Sequence, residues 1–384
     1  MSGFQKLKVD GFRRLCGVDI DFTDRPLCVV IGANGSGKTS LLDVFSLLAA
    51  TAQGRLREKI NDLSGLSAIL TNGKRARLSL GVSTASEDAA DNFRYELRLL
   101  PQRNLYTVES ESLIGVTANK QSFTYLDSST GETHYYDLDS GKLEKPTWAP
   151  NRLETSLSQV PKHLELPEHF RSHMESSVYY HTLDVGARSP VRLPQPMRPA
   201  SLPGTNGEDM VTCLYEMREA DPDRFDAVQD ALRAAFPGFE RLNFPPVAAG
   251  ALAMLWRDRN FPPGFYPYQL SEGALRFLWL VTLLRSSELP EVTLLDEPEV
   301  SLHPELLAIL ADLLREASQR SQIVVATHSD RLVRFLNPTE VMVADFAEDG
   351  LTKLTWADSL DLDRWLTEYT LDQVWAMGRL GGRA

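Results

Sequence analysis

Several segments in the first third of the chain alternate apolar and polar residues with a period of two, which is typical of strands with one buried face. The alternation is clearest where Phe93, Tyr95, Leu97 and Leu99 are separated by polar residues. Turn-forming residues separate five segments of this kind, which together predict an antiparallel sheet lobe. The predicted strands cover residues 77–82, 93–100, 105–113, 122–126 and 133–138.

Three other short runs are almost wholly apolar, as in the buried strands of a parallel sheet. They cover residues 27–31, 292–295 and 323–326. The first run follows a predicted hairpin in residues 4–22 and precedes a helical pattern that starts near Ser40. Because these runs come from both ends of the chain, we expect an α/β protein whose mixed or parallel core sheet is completed by both ends.

Helical spacing of apolar residues marks the middle of the chain. It predicts two helices in residues 208–236, separated near Asp221-Pro222, and a further helix that opens at Leu270-Ser271. We therefore expect an N-terminal lobe (1–140), an inserted helical lobe (141–290) and a C-terminal part of the first lobe with terminal helices (291–384). The sequence between the glycine-rich loop described below and residue 270 holds no sustained heptads, which excludes long coiled-coil arms.

Composition narrows the class of protein. The chain has 384 residues, 43% hydrophobic content and a formal net charge of −12, which is unlike a general binder of polyanions. DNA would therefore have to be contacted through a local basic patch or through a partner. The three cysteines, Cys16, Cys28 and Cys213, are too scattered for a disulfide framework or a zinc site. With no signal-peptide pattern and no apolar stretch long enough for a bilayer, we expect a cytoplasmic protein without a membrane span.

The most informative stretch is the sequence GANGSGKT, residues 32–39, which lies between the first apolar run and a predicted helix. Glycines let backbone N–H groups turn inward around phosphate oxygens, and the helix that follows adds its positive dipole end. Lys38 can reach the β- and γ-phosphates, and the hydroxyl of Thr39 can ligate Mg²⁺. The residues predicted to bind the nucleotide here are Asn34, Gly35, Ser36, Gly37, Lys38, Thr39 and Ser40.

Two carboxylates, Asp296 and Glu297, end the apolar run at 292–295. The carboxyl end of a buried strand is where an α/β sheet places its ligand chemistry. We expect Asp296 to hold Mg²⁺, directly or through water, and Glu297 to orient and deprotonate the attacking water. His328 follows the run at 323–326; a lone histidine is more often structural, but here it can hydrogen-bond the γ-phosphate or the water.

Two further sites have both a structural and a functional interpretation. Ser271 opens a predicted helix, where it can be only an N-cap, or can add its hydroxyl and the helix N-terminus to a γ-phosphate clamp with Gly273. Arg13 lies at a predicted turn, where it can be simply solvated or can contact a phosphate of its own chain.

Taken together, these motifs resemble the ATPase heads of the ABC superfamily, and most of all its RecF/SMC-like group, which includes ATPase subunits of DNA repair and anti-phage defence. The correspondence covers Walker A (32–39), the signature (270–273), Walker B (294–297), the D-loop region (301–304) and the switch histidine at 328. The resemblance implies an ATPase that uses ATP and Mg²⁺, with the fold of an ABC-type head.

The resemblance also implies a mechanism that the sequence alone does not show. Two copies, as a homodimer or within a larger assembly, would sandwich two ATP molecules, with Ser271 completing the site of the other copy. Arg13 would approach the nucleotide of its own chain. ATP-driven dimerisation would then control a process associated with DNA or with an effector, such as a separately encoded nuclease or toxin.

Three departures from the family pattern stand out. The signature reads Leu-Ser-Glu-Gly, the D-loop region has His303-Pro304 in place of the aspartate typical of transporters, and the Q-loop glutamine is either Gln159 or Gln195. The rival interpretation is the nucleotide-binding subunit of an ABC transporter; the large insertion between Walker A and the signature and the missing aspartate argue against it. A third interpretation is a scaffold that binds ATP and rarely hydrolyses it.

Overall fold

The computed structural model describes residues 3–71, 73–84, 92–103, 105–116, 122–129, 131–137, 140–247, 250–362, 365 and 367–381. Leu138, the last residue of a predicted strand, lies outside these ranges, as do residues 363–364, 366 and 382–384 of the predicted C-terminal helices. The helices are α1 (Lys38–Gln53), α2 (Leu56–Asp62), α3 (Leu66–Ile69), α4 (Glu165–Glu175), α5 (Met210–Ala220), α6 (Pro222–Ala235), α7 (Glu272–Arg285), α8 (Leu306–Ala317), α9 (Asp330–Val333) and α10 (Leu371–Ala376).

The alternating segments form an eight-stranded antiparallel sheet with the order β2-β1-β4-β5-β6-β7-β8-β9. The five strands predicted between residues 77 and 138 correspond to β4–β8, which confirms the antiparallel lobe. Their neighbours β1 and β2 come from the predicted N-terminal hairpin. The strands are β1 (Phe4–Asp10), β2 (Val18–Asp21), β4 (Leu78–Thr84), β5 (Asn92–Gln102), β6 (Leu105–Val116), β7 (Ser122–Ser129), β8 (Glu132–Asp137) and β9 (Lys142–Glu144).

The apolar runs form the centre of a six-stranded sheet with the order β10-β16-β17-β3-β18-β19. All neighbours pair in parallel except β18 and β19. One strand, β10, lies within the range expected to be a helical lobe, yet it pairs with β16 and extends the core sheet. The strands are β3 (Leu27–Ile31), β10 (Ser177–Tyr180), β16 (Val292–Asp296), β17 (Gln322–Ala326), β18 (Val341–Phe346) and β19 (Thr352–Trp356).

Helices α5, α6 and α7 and two small sheets make up the part between β10 and β16. The break predicted near Asp221 is confirmed: the Asp221 side chain accepts a hydrogen bond from the N–H of Arg224 and caps α6, whose first residue is Pro222. The small sheets contain β11 (Gln195–Pro196), β13 (Pro246–Val247) and β14 (Ala251–Leu252), and then β12 (Phe239–Asn243) and β15 (Leu255–Asp258).

The central strands β3, β16 and β17 are buried on both faces, which explains their mostly apolar sequences. Along β3, Cys28 and Val30 face a core built with α1 and the antiparallel sheet. Val29 and Ile31 face a second core built with α5–α8. The strand is thereby fixed from both sides, and its carboxyl end, where the glycine loop begins, has a defined position.

The helices are short. The longest in the described part of the chain is α1, with 16 residues, so the expectation of no long coiled coil is confirmed there. Within the same residues, none of the helices combines the length and the apolar character needed to cross a membrane.

His173 on α4 gives the core a predicted pH dependence. Burial lowers the pKa of His173 to about 4, so the folded protein keeps this imidazole neutral where the unfolded chain, with an ordinary pKa of about 6.5, binds a proton. Its contribution to stability is therefore full above about pH 6.5 and is lost as the pH falls towards 4. Between pH 8 and pH 5, we expect protonation of His173 in the unfolded chain to lower the free energy of unfolding by about 2 kcal/mol. Urea unfolding at the two pH values measures it. In His173→Gln this part of the pH dependence should vanish, and an unchanged slope would contradict the assignment.

Candidate active site

The glycine loop connects β3 to α1 and packs tightly on the neighbouring strands. Gly32 and Gly37 have φ angles of +145° and +107°, which side chains disfavour. A Cβ on Gly32 would lie 2.1 Å from the carbonyl oxygen of Ala344 in β18, and one on Gly37 would lie 2.6 Å from Thr352 Oγ1 in β19. Both positions require glycine, and the loop backbone is thus fixed against β18 and β19.

Lys38 is buried inside this loop. Its ammonium group donates hydrogen bonds to the carbonyl oxygens of Gly32 at 2.6 Å and Ala33 at 2.9 Å. Burial lowers the pKa of Lys38 to about 8, although the nearby carboxylates of Glu297 and Asp296 oppose that shift. The cation is therefore held between the loop that it belongs to and the acidic end of β16.

The remaining loop residues offer several groups suited to a phosphate. Asn34, Gly35 and Thr39 are exposed, while the hydroxyl of Ser36 is buried without a hydrogen-bond partner. The N-cap of α1 is Gly37, which gives the first turn no side-chain cap. Free N–H groups at a helix start, a buried hydroxyl without a partner and an open loop fit an anionic phosphate group.

Arg13 lies against the start of α1. Its guanidinium donates a 2.7 Å hydrogen bond to Asp43 Oδ2 and a longer one, 3.4 Å, to Ser40 Oγ. The backbone of Arg13 has a φ of +48°, and its N–H donates to the carbonyl oxygen of Ile69. Two of the predicted binding residues, Arg13 and Ser40, are therefore neighbours; the partner Asp43 was not predicted.

Asp296, the last residue of β16, is oriented by β10. The Tyr179 hydroxyl donates a 2.9 Å hydrogen bond to Asp296 Oδ2, and the Thr182 hydroxyl donates to the Asp296 carbonyl oxygen at 3.3 Å. Burial raises the pKa of Asp296, and the hydrogen bond from Tyr179 opposes that rise. Sequence reasoning missed both residues; the signal that could have pointed to them is the run of β-branched and aromatic residues at 178–183, which is typical of a strand.

Glu297 has an unusual backbone conformation beside His328. Its φ of +49° is rarely adopted by residues other than glycine, and its N–H donates to the carbonyl oxygen of Ala326 at 2.8 Å. Glu297 Oε1 lies 3.4 Å from His328 Nε2. Burial lowers the pKa of His328 and the Lys38 charge lowers it further, which favours a neutral imidazole. Sequence-predicted residues from two strands thus meet at one edge of the sheet.

The half-buried carboxylate of Glu299 connects the ends of these strands. Thr327 donates a hydrogen bond from Oγ1 to Glu299 Oε1 and accepts one from the N–H of Ser329 at 2.9 Å. The other oxygen of Glu299 is buried without a hydrogen-bond partner, and burial raises the pKa of this carboxyl. Thr327 therefore ties the segment of His328 to the segment that follows Walker B.

Ser271 stands apart from the other predicted residues. It is exposed at the N-cap of α7, where its hydroxyl accepts a hydrogen bond from the N–H of Ala274 at 3.3 Å. A Cβ on Gly273 would lie 2.6 Å from the carbonyl oxygen of Ser301, so α7 packs directly on the D-loop region. Among the described residues, none of the hydrogen bonds joins Ser271 to residues 32–40.

Neither candidate Q-loop glutamine reaches the site. Gln159 donates to backbone carbonyls of its own loop, and buried Gln195 donates to the carbonyl oxygen of Gly207. Both side chains hold local structure. The strand β10 and the residue that follows it instead bring Tyr179 and His181, whose ring centroids are 3.9 Å apart, to the end of the sheet near Asp296.

This fold and this loop define a P-loop nucleotide-binding domain with the fold of an ABC/SMC-type head. The chain belongs to the family described as "AAA domain, putative AbiEii toxin, Type IV TA system", whose model matches residues 27–334. A search of curated protein sequences found no match.

Solved structures similar to this chain include SMC head domains. One is an SMC head bound to the C-terminal winged-helix domain of ScpA, with 17% identity, a TM-score of 0.54 and coverage of 92% of this chain and 97% of that chain. Another is the SMC head from Pyrococcus furiosus, which has an extended coiled coil and is bound to the C-terminal domain of ScpA. It has 13% identity and a TM-score of 0.52, and the match covers 96% of this chain and 98% of that chain. The head from Pyrococcus yayanosii, with a coiled coil and joint, has 13% identity, a TM-score of 0.51 and coverage of 96% and 99%. These likenesses show the fold.

Proposed function

We propose that this protein is a cytoplasmic ATPase whose nucleotide site is completed by a second copy. The observation that carries the proposal is the meeting of Lys38, Asp296, Glu297 and His328 at the carboxyl edge of the six-stranded sheet. A cation, two carboxylates and an imidazole beside a glycine loop have the chemistry needed to transfer a phosphoryl group to water.

Each residue has a role that follows from its position. Lys38 neutralises charge on the phosphates when it leaves the carbonyl oxygens of its own loop. The hydroxyl of Thr39 and the carboxylate of Asp296 are hard oxygen ligands that suit Mg²⁺, which would supply further neutralising charge. Glu297 orients a water and takes its proton, and neutral His328 hydrogen-bonds the water or the terminal phosphate.

The exposed Ser271 supports the composite site. Its hydroxyl and the start of α7 can bind a phosphate group. Within the described ranges, no hydrogen bond joins Ser271 to the loop at 32–40 of its own chain, so that phosphate would belong to another copy. In a symmetric pair, Ser271 and Gly273 of each copy would close the site of the other. ATP would then join the two heads, and hydrolysis would separate them.

The output of this cycle is proposed to pass to a partner, either DNA or a separately encoded effector, in anti-phage defence or DNA repair. The family description names a toxin of a type IV TA system, and two similar SMC heads are described as bound to a domain of ScpA. The ScpA complexes support a head that acts through a second protein, and the family description supports a role in a toxin system.

Nucleotide binding by Lys38 is tested directly by substitution. Lys38→Ala should weaken binding of ATP by about tenfold or more, because charge-assisted contacts to the phosphates are lost. Titration calorimetry with Mg²⁺ and ATP measures this effect. The control is Lys6→Ala, which removes an exposed lysine paired with Asp21 and should leave ATP affinity unchanged. Equal affinity of Lys38→Ala and wild type would overturn the assigned site.

The hydrogen bond from Tyr179 predicts a change in metal requirement. Tyr179→Phe should raise the Mg²⁺ concentration for half-maximal ATP binding by about tenfold, because Asp296 loses a donor that orients it and favours its charged form. A Mg²⁺ titration at fixed ATP gives the readout. Tyr180→Phe, the adjacent residue of the same strand, should behave as wild type. An unchanged Mg²⁺ requirement in Tyr179→Phe would show that the bond only supports packing.

A further inference from the structure

Two exposed tyrosines lie immediately before Ser271. Tyr266 and Tyr268 stack in parallel, with ring centroids 5.8 Å apart and planes 5° apart. Tyr268 is 62% exposed, and Tyr266 lies at the boundary of exposure with 36%. An aromatic ring this exposed, with its neighbour supporting one face, leaves its other face open to a flat ligand.

The turn that carries these rings, residues 266–270, is held firmly. The N–H of Tyr266 donates to Gln269 Oε1 at 2.9 Å, and the N–H of Gln269 donates back to the Tyr266 carbonyl oxygen at 2.9 Å. Arg192 donates from Nη1 to the carbonyl oxygens of Pro267 and Leu270 at 3.1 and 3.0 Å. Because the backbone is already ordered, little conformational entropy is lost when a ligand stacks on Tyr268.

We propose that Tyr268, supported by Tyr266, is a base-stacking platform that acts in trans. It would stack on the nucleobase of the ATP held by the glycine loop of a second copy, while Ser271 contacts the terminal phosphate of the same molecule. The proposal rests on the composite site proposed above. Tyr268 lies three positions before Ser271, at most about 10 Å of chain, so one nucleotide can reach both.

The choice of a nucleobase follows from the chemistry of the platform. Every base has a flat π-face, and a single base–aromatic stack is strong enough to change an affinity by about 5- to 100-fold. The chain offers a matched control in Phe261, which is 61% exposed, lies ten residues before Ser271 and contacts Phe265 at 5.7 Å. If exposure alone mattered, replacing either ring by alanine would have the same effect on the dimer. If Tyr268 stacks on the base, only its replacement should weaken the dimer.

The test uses the full chain with Glu297→Gln, which should accumulate the ATP-bound dimer. Sedimentation at several protein concentrations gives the dimer dissociation constant for this variant alone and combined with Tyr268→Ala, Tyr268→Phe or Phe261→Ala. Tyr268→Ala should weaken the dimer by about tenfold or more, while Tyr268→Phe and Phe261→Ala should not. With CTP in place of ATP, the loss caused by Tyr268→Ala should be smaller, because a pyrimidine offers less stacking area.

The other outcomes separate the two proposals. A monomeric Glu297→Gln at saturating ATP would remove the composite site and the platform together. An ATP-dependent dimer unaffected by Tyr268→Ala would overturn the platform alone. An equal loss with ATP and CTP would assign Tyr268 to contact with protein rather than base. If Tyr268→Ala weakens ATP binding in the monomeric Ser271→Asp variant, the ring contacts the nucleotide of its own chain. Either this result or an equal loss with ATP and CTP would also overturn the proposal.

Discussion

Replacement of Glu297 by glutamine is expected to lower ATP turnover by about 100-fold or more while ATP binding persists. Glutamine has nearly the shape of glutamate, so the left-handed backbone at this position and its hydrogen bond to Ala326 should be kept. What is lost is the carboxylate that takes the proton of the attacking water. The variant should therefore accumulate the ATP-bound form as a dimer on a sizing column.

Steady-state phosphate release and calorimetric ATP binding, measured on the same preparation, separate the two effects. The matched control is Glu305→Gln, a carboxylate whose side chain is 88% exposed on the same segment after Walker B. It should turn over ATP at the wild-type rate. Turnover by Glu297→Gln within a few-fold of wild type would exclude Glu297 as the base, and very slow turnover by wild type itself would favour a scaffold that rarely hydrolyses ATP.

Replacement of Ser271 by aspartate is expected to abolish ATP-dependent dimerisation and to lower turnover by about 100-fold or more. Aspartate is as good an N-cap as serine, so it keeps the hydrogen bond from Ala274 and the stability of α7. It also places a negative charge where a phosphate should bind. The variant thus separates the structural role of Ser271 from its proposed role in the composite site.

The readouts for Ser271→Asp are sedimentation with ATP, phosphate release and the thermal midpoint. ATP affinity of the monomer and the thermal midpoint should stay close to wild type, since the residue caps its own helix but serves the other copy's nucleotide. Ser271→Thr, which keeps both a cap and a hydroxyl, should retain much of the activity. Full activity in Ser271→Asp would restrict Ser271 to its role as a helix cap.

The sequence carries the features that are local. The glycine loop can be read because its conformation requires glycine at fixed positions and because it follows a strand buried on both faces. The alternating strands of the antiparallel sheet and the break at Asp221 can also be predicted from the sequence, because each depends on residues that are neighbours along the chain.

The contacts that organise the site are not local, and the sequence did not reveal them. Tyr179 and Asp296 are 117 positions apart in the sequence, and they meet only because β10 pairs with β16. Nothing in the pattern of residues 177–180 distinguishes that neighbour from others. Gln159 and Gln195 fit a Q-loop glutamine by residue type, but both bond to local carbonyl oxygens, and Tyr179 lies beside Asp296. The Thr327–Glu299 bond likewise joins ends of separate strands.

A mixing experiment tests the composite site most directly. Lys38→Ala and Ser271→Asp should each be nearly inactive alone, since each lacks half of every site. In an equimolar mixture with subunit exchange, a mixed pair has one intact site, built from Lys38 of one copy and Ser271 of the other. Random pairing should then restore about a quarter of wild-type turnover. A mixture no more active than the sum of its two components would show that both residues serve the same chain's nucleotide, which would contradict the account.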